Sequence, residues 1–201
     1  AIFFHSVSLR AQELQSAVEG QMISPYFPVD MSIMGAVRHF YDIGTKPLNI
    51  HGATISSVAL NHPQGCVAYR VEADGGSLVY ATDTEPGSPT HDQNVREIAR
   101  GVDVFICDSQ YTPEELHSEK RGWGHSSWVE AVKIAQDAGV RKLVLFHHDP
   151  ERDDAMVDAL AVQARKQFPN TIAAAEGMIL DIPAPPPKPA PRKKRRPKAR
   201  K

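Results

Sequence analysis

The chain has 201 residues, 41% hydrophobic and 23% charged, which suits one domain with a buried core and excludes a chain too polar to fold. Its formal net charge of −1 hides a segregation: residues 181–201 hold nine Lys/Arg against one Asp, and residues 1–180 hold 14 basic against 23 acidic groups. No stretch has the length and apolarity of a membrane span or a secretory core, so a cytoplasmic protein that engages no membrane is expected.

Residues 1–8 read as a short strand and Leu9–Met22 as an amphipathic helix on Leu14, Val18 and Met22, ending near Gly20. In Ser24–Pro28, SPYFP, two prolines forbid helix, and Tyr26 and Phe27 either pack under the loop or line a pocket. Val37–Ile43 and Leu48–Leu60 read as strands, the second leading to Asn61-His62-Pro63. Cys66–Glu72 and Ser77–Ala81 form a hairpin around Asp74-Gly75-Gly76, and the second arm leads into Thr82-Asp83-Thr84. Cys66 and Cys107 lie in apolar, strand-like sequence and read as buried thiols, not a disulfide or a catalytic pair.

Asn94–Arg100 reads as a helix stopped by Gly101, and Val102–Cys107 as a strand ending at Asp108. A polar loop over 109–121, with one helical turn from Pro113 to His117, leads to Gly124-His125-Ser126. Trp128, Ala131, Val132, Ala135 and Ala138 repeat at helical spacing up to the cap Gly139. Lys142–Phe146, KLVLF, is a strand buried on both faces that stops at His147-His148-Asp149. A helix over about 153–167, a strand pair at Thr171–Ala175 and Met178–Ile182, and a disordered Pro/Lys/Arg-rich tail over 183–201 complete the chain. Residues 1–182 are thus expected to form one folded unit.

Four of these strands stop at His62, Asp83, Asp108 and His147. One strand-end His or Asp is usually a turn former, but strand C-terminal ends converge in layered α/β folds, so four of them make a candidate site. Imidazole and carboxylate without thiolate suit Zn²⁺, Mn²⁺ or Fe²⁺.

Taken together, LNHPQGCVAYRVE, YATDTEP, VDVFICDSQYT and RGWGHSS followed by KLVLFHHDP resemble the metallo-β-lactamase-fold hydrolases, in the branch near ribonuclease Z and related phosphodiesterases. The resemblance covers about residues 60–154 and weakens towards 180. It implies an α/β fold, an αββα sandwich, with His62, Asp83 and His147 as ligands of two divalent metal ions, most simply zinc, and Asp83 bridging them. His148 and Asp149 then fall behind the ligands or in the loop. It also implies that Asp108, where the pattern has Glu, orients His125 as general acid for hydrolysis by a metal-activated water. The plainer alternative for His125 is a helix-start residue that satisfies a backbone group.

The family's upstream His-x-His-x-Asp-His motif is missing. His5, His39, His51, His91 and His117 are scattered and read as solvent-facing or capping. With Ala1 opening in mid-pattern, the expectation is an N-terminally truncated hydrolase that holds metal weakly and is inactive alone, and active as a dinuclear enzyme with that motif restored. No long Gly- and Pro-rich insertion like the tRNA-clamping arm of ribonuclease Z lies between Arg70 and Asp83. A small phosphodiester or other ester, such as a cyclic nucleotide, is therefore the expected substrate, with SPYFP and GWG as candidate aromatic walls for a base. The rival class is a non-catalytic or degenerate module that binds nucleic acid or an acidic partner through residues 188–201. Self-association as a homodimer stays open.

Overall fold

The computed structural model describes residues 1–6, 10–42, 44 and 46–182. The expectation for the basic tail, residues 183–201, lies outside the described residues, as do Leu9 and Ile43 at the ends of two expected elements.

In chain order the first strand β1 is Ile2–Ser6, helix α1 is Ala11–Glu19, and strand β2 is Arg38–Asp42. These form a parallel β–α–β unit in which β1 and β2 make a two-stranded sheet, with Phe4 and Phe40 stacked at 4.8 Å. The following hairpin differs from the single strand expected over Leu48–Leu60. The chain turns at His51-Gly52, giving β3, Leu48–Ile50, and β4, Ala53–Leu60. Both turn residues have positive φ, 47° and 87°, as a two-residue primed turn requires, and His replaces the usual Asn or Asp in the first position.

Strand β5, Cys66–Ala73, and strand β6, Gly76–Ala81, follow as the expected hairpin, closed by Asp74-Gly75 at φ 50° and 80°. Helix α2 is Pro89–Ile98; it starts five residues earlier than expected because Pro89 occupies its first turn, where a missing N–H costs nothing. Then come β7, Val104–Asp108; α3, Pro113–His117; α4, Trp128–Ala138; β8, Lys142–Phe146; α5, Asp154–Gln167; and β9, Thr171–Ala173. The expected strand Met178–Ile182 is absent. That segment is irregular and brings Ile182 against Gly76, where an added Cβ would stand 2.9 Å from the isoleucine Cγ2.

Strands β3 to β9 lie in sequence order in one seven-stranded sheet, antiparallel from β3 to β6 and parallel from β6 to β9. The fold is therefore mixed α/β. Val79, Phe105, Leu143 and Leu145 on one face of the sheet join Trp128, Val132 and Ala135 of α4 and Leu160 and Ala164 of α5 in the main core. Cys107 is buried in that core, whereas Cys66 is only partly buried; both thiols are free. This topology sets one edge of the sheet: the ends of β4, β6, β7 and β8 all point the same way, because β4 and β6 both run antiparallel to β5.

Leu143 is fully buried at the centre of this core. Leu143→Ala is expected to lower stability by about 2–5 kcal/mol, measured as a shift of the chemical-denaturation midpoint at unchanged slope.

Candidate functional site

The four strand-end residues meet at that edge. Asp83 follows β6, Asp108 closes β7 and His147 follows β8, while His62 comes two residues after β4. His147 Nε2 is 3.6 Å from Asp83 Oδ1. Ligating atoms of His62, Asp83 and His125 lie within 4.8 Å of one another, and so do those of Asp108, His125 and His147. The His125 ring stands 4.9 Å from that of His147, stacked, and 5.7 Å from that of His62, edge-on. All five residues singled out from the sequence thus occupy one cluster. His125, expected as an acid, is common to both potential ligand groups.

Asp108 organises the cluster. Its side chain is fully buried, and its Oδ2 accepts from the Asp83 N–H at 2.9 Å and pairs with His125 Nδ1 at 2.9 Å. Its Oδ1 accepts from the N–H groups of Ser126 at 3.1 Å and Gln110 at 3.2 Å. Aspartate is one methylene shorter than glutamate, and it reaches His125 because it closes β7 directly beneath that loop. With Nδ1 held on the carboxylate, the His125 Nε2 edge is the one left for chemistry. The hydrogen bond to Asp108 raises the His125 pKa; burial opposes this, and the negative charges of Asp108, Asp83 and Glu85 add to the rise.

Backbone strain marks two of the candidate ligands. Asp83 and His147 have φ of 59° and 58°, in the left-handed region that non-glycine residues enter at a cost and that concentrates at functional sites. His148 belongs to neither ligand group: its Nε2 is buried without a hydrogen-bond partner, and burial lowers its pKa. Asp149 Oδ1 accepts from the Glu151 N–H within its own loop. Of the scattered histidines, His91 bonds the Ser88 hydroxyl beside α2, and His117 Nδ1 meets the Pro113 carbonyl within α3. His5 and His39 instead stack with Phe3 and Tyr41 on the β1–β2 pair.

Glu85 emerges from the structure alone. Its two carboxylate oxygens accept from the N–H groups of Gly122 at 2.8 Å and Gly124 at 2.9 Å. Its own backbone is held from both sides, the N–H on the Asn61 carbonyl and the carbonyl on the Asn61 side chain. Gly124, at φ 91°, packs so closely that a Cβ there would lie 2.2 Å from His62 Cδ2. One residue, through its carboxylate and its backbone, therefore ties the loops of His62, Asp83 and His125 together. The only sequence signal was an acidic residue two places after Asp83, in a motif already explained by Asp83.

A cleft of about 570 Å³ beside the cluster is lined by His62, Cys66, Tyr69, Tyr80, Thr82 and His91, a size that suits a small ligand. Trp123, two residues before His125, is exposed, and so are Tyr26 and Phe27 of the SPYFP loop.

Comparison with known proteins gives concordant matches. The model of the beta-lactamase superfamily domain matches residues 22–148. An uncharacterized protein of Mycobacterium leprae is 36% identical over 161 residues, 78% of this chain and 51% of the relative. A protein named ribonuclease Z from Lachnospira eligens is 32% identical over 110 residues, 54% of this chain and 33% of the relative. The chain spans about half the length of the first curated relatives it matches. Among solved structures, Zn²⁺-bound PqqB of Methylobacterium extorquens shares the fold with a TM-score of 0.63 at 11% identity, covering 90% of this chain and 64% of that one.

Two outcomes test this geometry. In the metal-free chain, the protonated His125 stabilises the fold fully below the unfolded value of about 6.5, and that contribution fades as pH rises through its elevated folded value. Asp108→Asn is expected to lower the His125 pKa and shrink this dependence, followed by NMR titration of the ring. Gly124→Ala is expected to cost roughly 1–3 kcal/mol of stability and to shift the His62 ring resonances, because its Cβ and the His62 ring claim the same space.

Proposed function

The chain belongs to the beta-lactamase superfamily, and from that membership we propose that it is a metal-dependent hydrolase of small phosphodiesters. The observation that carries this is the meeting of His62, Asp83, Asp108, His125 and His147 at one sheet edge. The donor chemistry fits divalent ions: imidazoles and carboxylates, with no thiolate in either ligand group. His62, Asp83 and His147 would hold the metal, which when bound supplies an activated water and a positive charge for the phosphate.

His125 does the proton chemistry. Its Nδ1 rests on Asp108, so Nε2 carries the proton that the leaving oxygen needs as negative charge develops there. The raised pKa keeps a larger fraction of His125 protonated near neutral pH, as an acid requires. The small size of the cleft and the two-residue turn between β5 and β6 favour a small ester, such as a cyclic nucleotide, over transfer RNA.

Three ligands do not complete the coordination of two ions. We therefore expect the 201 residues to bind zinc weakly and to hydrolyse bis(p-nitrophenyl) phosphate slowly or not at all, with further donors needed for a dinuclear centre. Metal per chain after dialysis against zinc is the measurement. Less than two ions, falling further in His62→Ala, Asp83→Ala and His147→Ala, is the expected result; two tightly held ions, or zinc indifferent to these changes, would refute the assignment.

A further inference from the structure

Trp123 is 57% exposed, yet the residues on both sides of it are held by hydrogen bonds. Single exposed apolar side chains are ordinary, and Tyr26 or Ile179 needs no further account. Trp123 differs in what flanks it. Gly122 and Gly124 have φ of 85° and 91°, values that only glycine adopts freely. Their N–H groups both end on the Glu85 carboxylate, so one side chain pins the residues before and after the tryptophan. Gly124 in turn lies against the His62 ring, and His125 comes next in the chain. The indole is thus presented from a fixed backbone at the lip of the candidate centre.

A cation accompanies it. Lys120 Nζ stands 4.4 Å from the centroid of the Trp123 ring and 5.9 Å from that of Tyr111, and Tyr111 meets the His125 ring edge-on at 6.0 Å. Among the described residues no carboxylate lies within ion-pair distance of Lys120. An exposed indole and an unpaired ammonium therefore stand together, joined through Tyr111 to the proposed acid.

We propose that Trp123 and Lys120 form a recognition subsite for a nucleoside phosphate, the indole stacking on the base and the ammonium pairing with a phosphate oxygen. The chemistry selects this class. A planar heteroaromatic ring gains from an exposed π-face whatever its hydrogen-bonding pattern, and a phosphate is the anion that an unpaired lysine holds as a point charge. A plain alkyl phosphate would use Lys120 and leave Trp123 idle; an uncharged aromatic ligand would do the reverse. Glu85 serves as the positioning residue, since without it the two glycines lose the partner that orients the loop.

This inference rests on the hydrolase proposal for the site's identity, but it is tested without metal or turnover. Calorimetric titration of the metal-free full chain uses AMP, adenosine and ribose 5-phosphate as probes. AMP is expected to bind more tightly than either of its parts. Trp123→Ala should weaken AMP and adenosine about tenfold and leave ribose 5-phosphate unchanged, and Trp123→Phe should restore most of the loss. Lys120→Gln should weaken AMP and ribose 5-phosphate but not adenosine. Equal binding of AMP and ribose 5-phosphate, no AMP binding, or indifference to Trp123→Ala would overturn the subsite. None of these outcomes depends on zinc, so a failed metal assignment and a failed subsite are told apart.

Discussion

The carboxylate of Asp108 is the constraint from which the rest of the site follows. A fully buried carboxylate is costly unless its oxygens are satisfied, and here two backbone N–H groups at Oδ1, with one N–H and an imidazole at Oδ2, do so. Those partners come from three loops: after β6, after β7, and before α4. Satisfying one charge therefore fixes the relative positions of Asp83, Gln110 and the His125–Ser126 segment. The interaction is local in space and long-range in sequence, which lets strands remote in the chain deliver their ends to one point.

The topology makes that convergence possible, and the charge balance gives it purpose. The parallel register of β6, β7 and β8 places Ala81 beside Cys107 and Asp108 beside Phe146, so the residues that leave these strands emerge side by side. Asp83, Glu85 and Asp108 all act electrostatically on His125. Three carboxylates gathered at one edge leave it short of positive charge, and one histidine with a raised pKa offsets only part of it. Positive φ at Asp83 and His147 adds strain on the same side of the balance. Groups held strained and under-compensated are favourable in the presence of a cation, which is the physical ground for preferring a metal centre to a purely structural network.

Much of this was legible in the sequence because the signals were strong and local. KLVLF, an apolar run short enough for a buried strand, forms one, and the Trp128–Ala138 periodicity forms a helix, capped by Gly139 in the left-handed conformation. Four strands ending in His or Asp named residues that the fold brings to one sheet edge. What escaped had weak or competing signals. The His51-Gly52 turn lacked the Asn or Asp that usually announces a primed turn. Met178–Ile182 is apolar enough for a strand but turns away to pack Ile182 near Gly76. Glu85 escaped because its partners are backbone N–H groups 37 and 39 residues downstream, which leave no trace in side-chain pattern.

Glu85 and Asp108 also show why the segment from Gly122 to Ser126 has the sequence it has. Its N–H groups are divided between two carboxylates, those of Gly122 and Gly124 going to Glu85 and that of Ser126 to Asp108, while the His125 ring adds its Nδ1 to Asp108. Accepting N–H groups from alternate residues on different anchors demands a backbone that glycine at 122 and 124 permits. Glycine at 124 also removes the Cβ that would displace His62. Backbone freedom is thus needed at two residues and withdrawn by two carboxylates, leaving Trp123 and His125 as the side chains the loop presents. A loop fixed this way owes the placement of its ring to its own hydrogen bonds: the Gly122 and Gly124 N–H groups to Glu85, and the His125 Nδ1 and Ser126 N–H to Asp108.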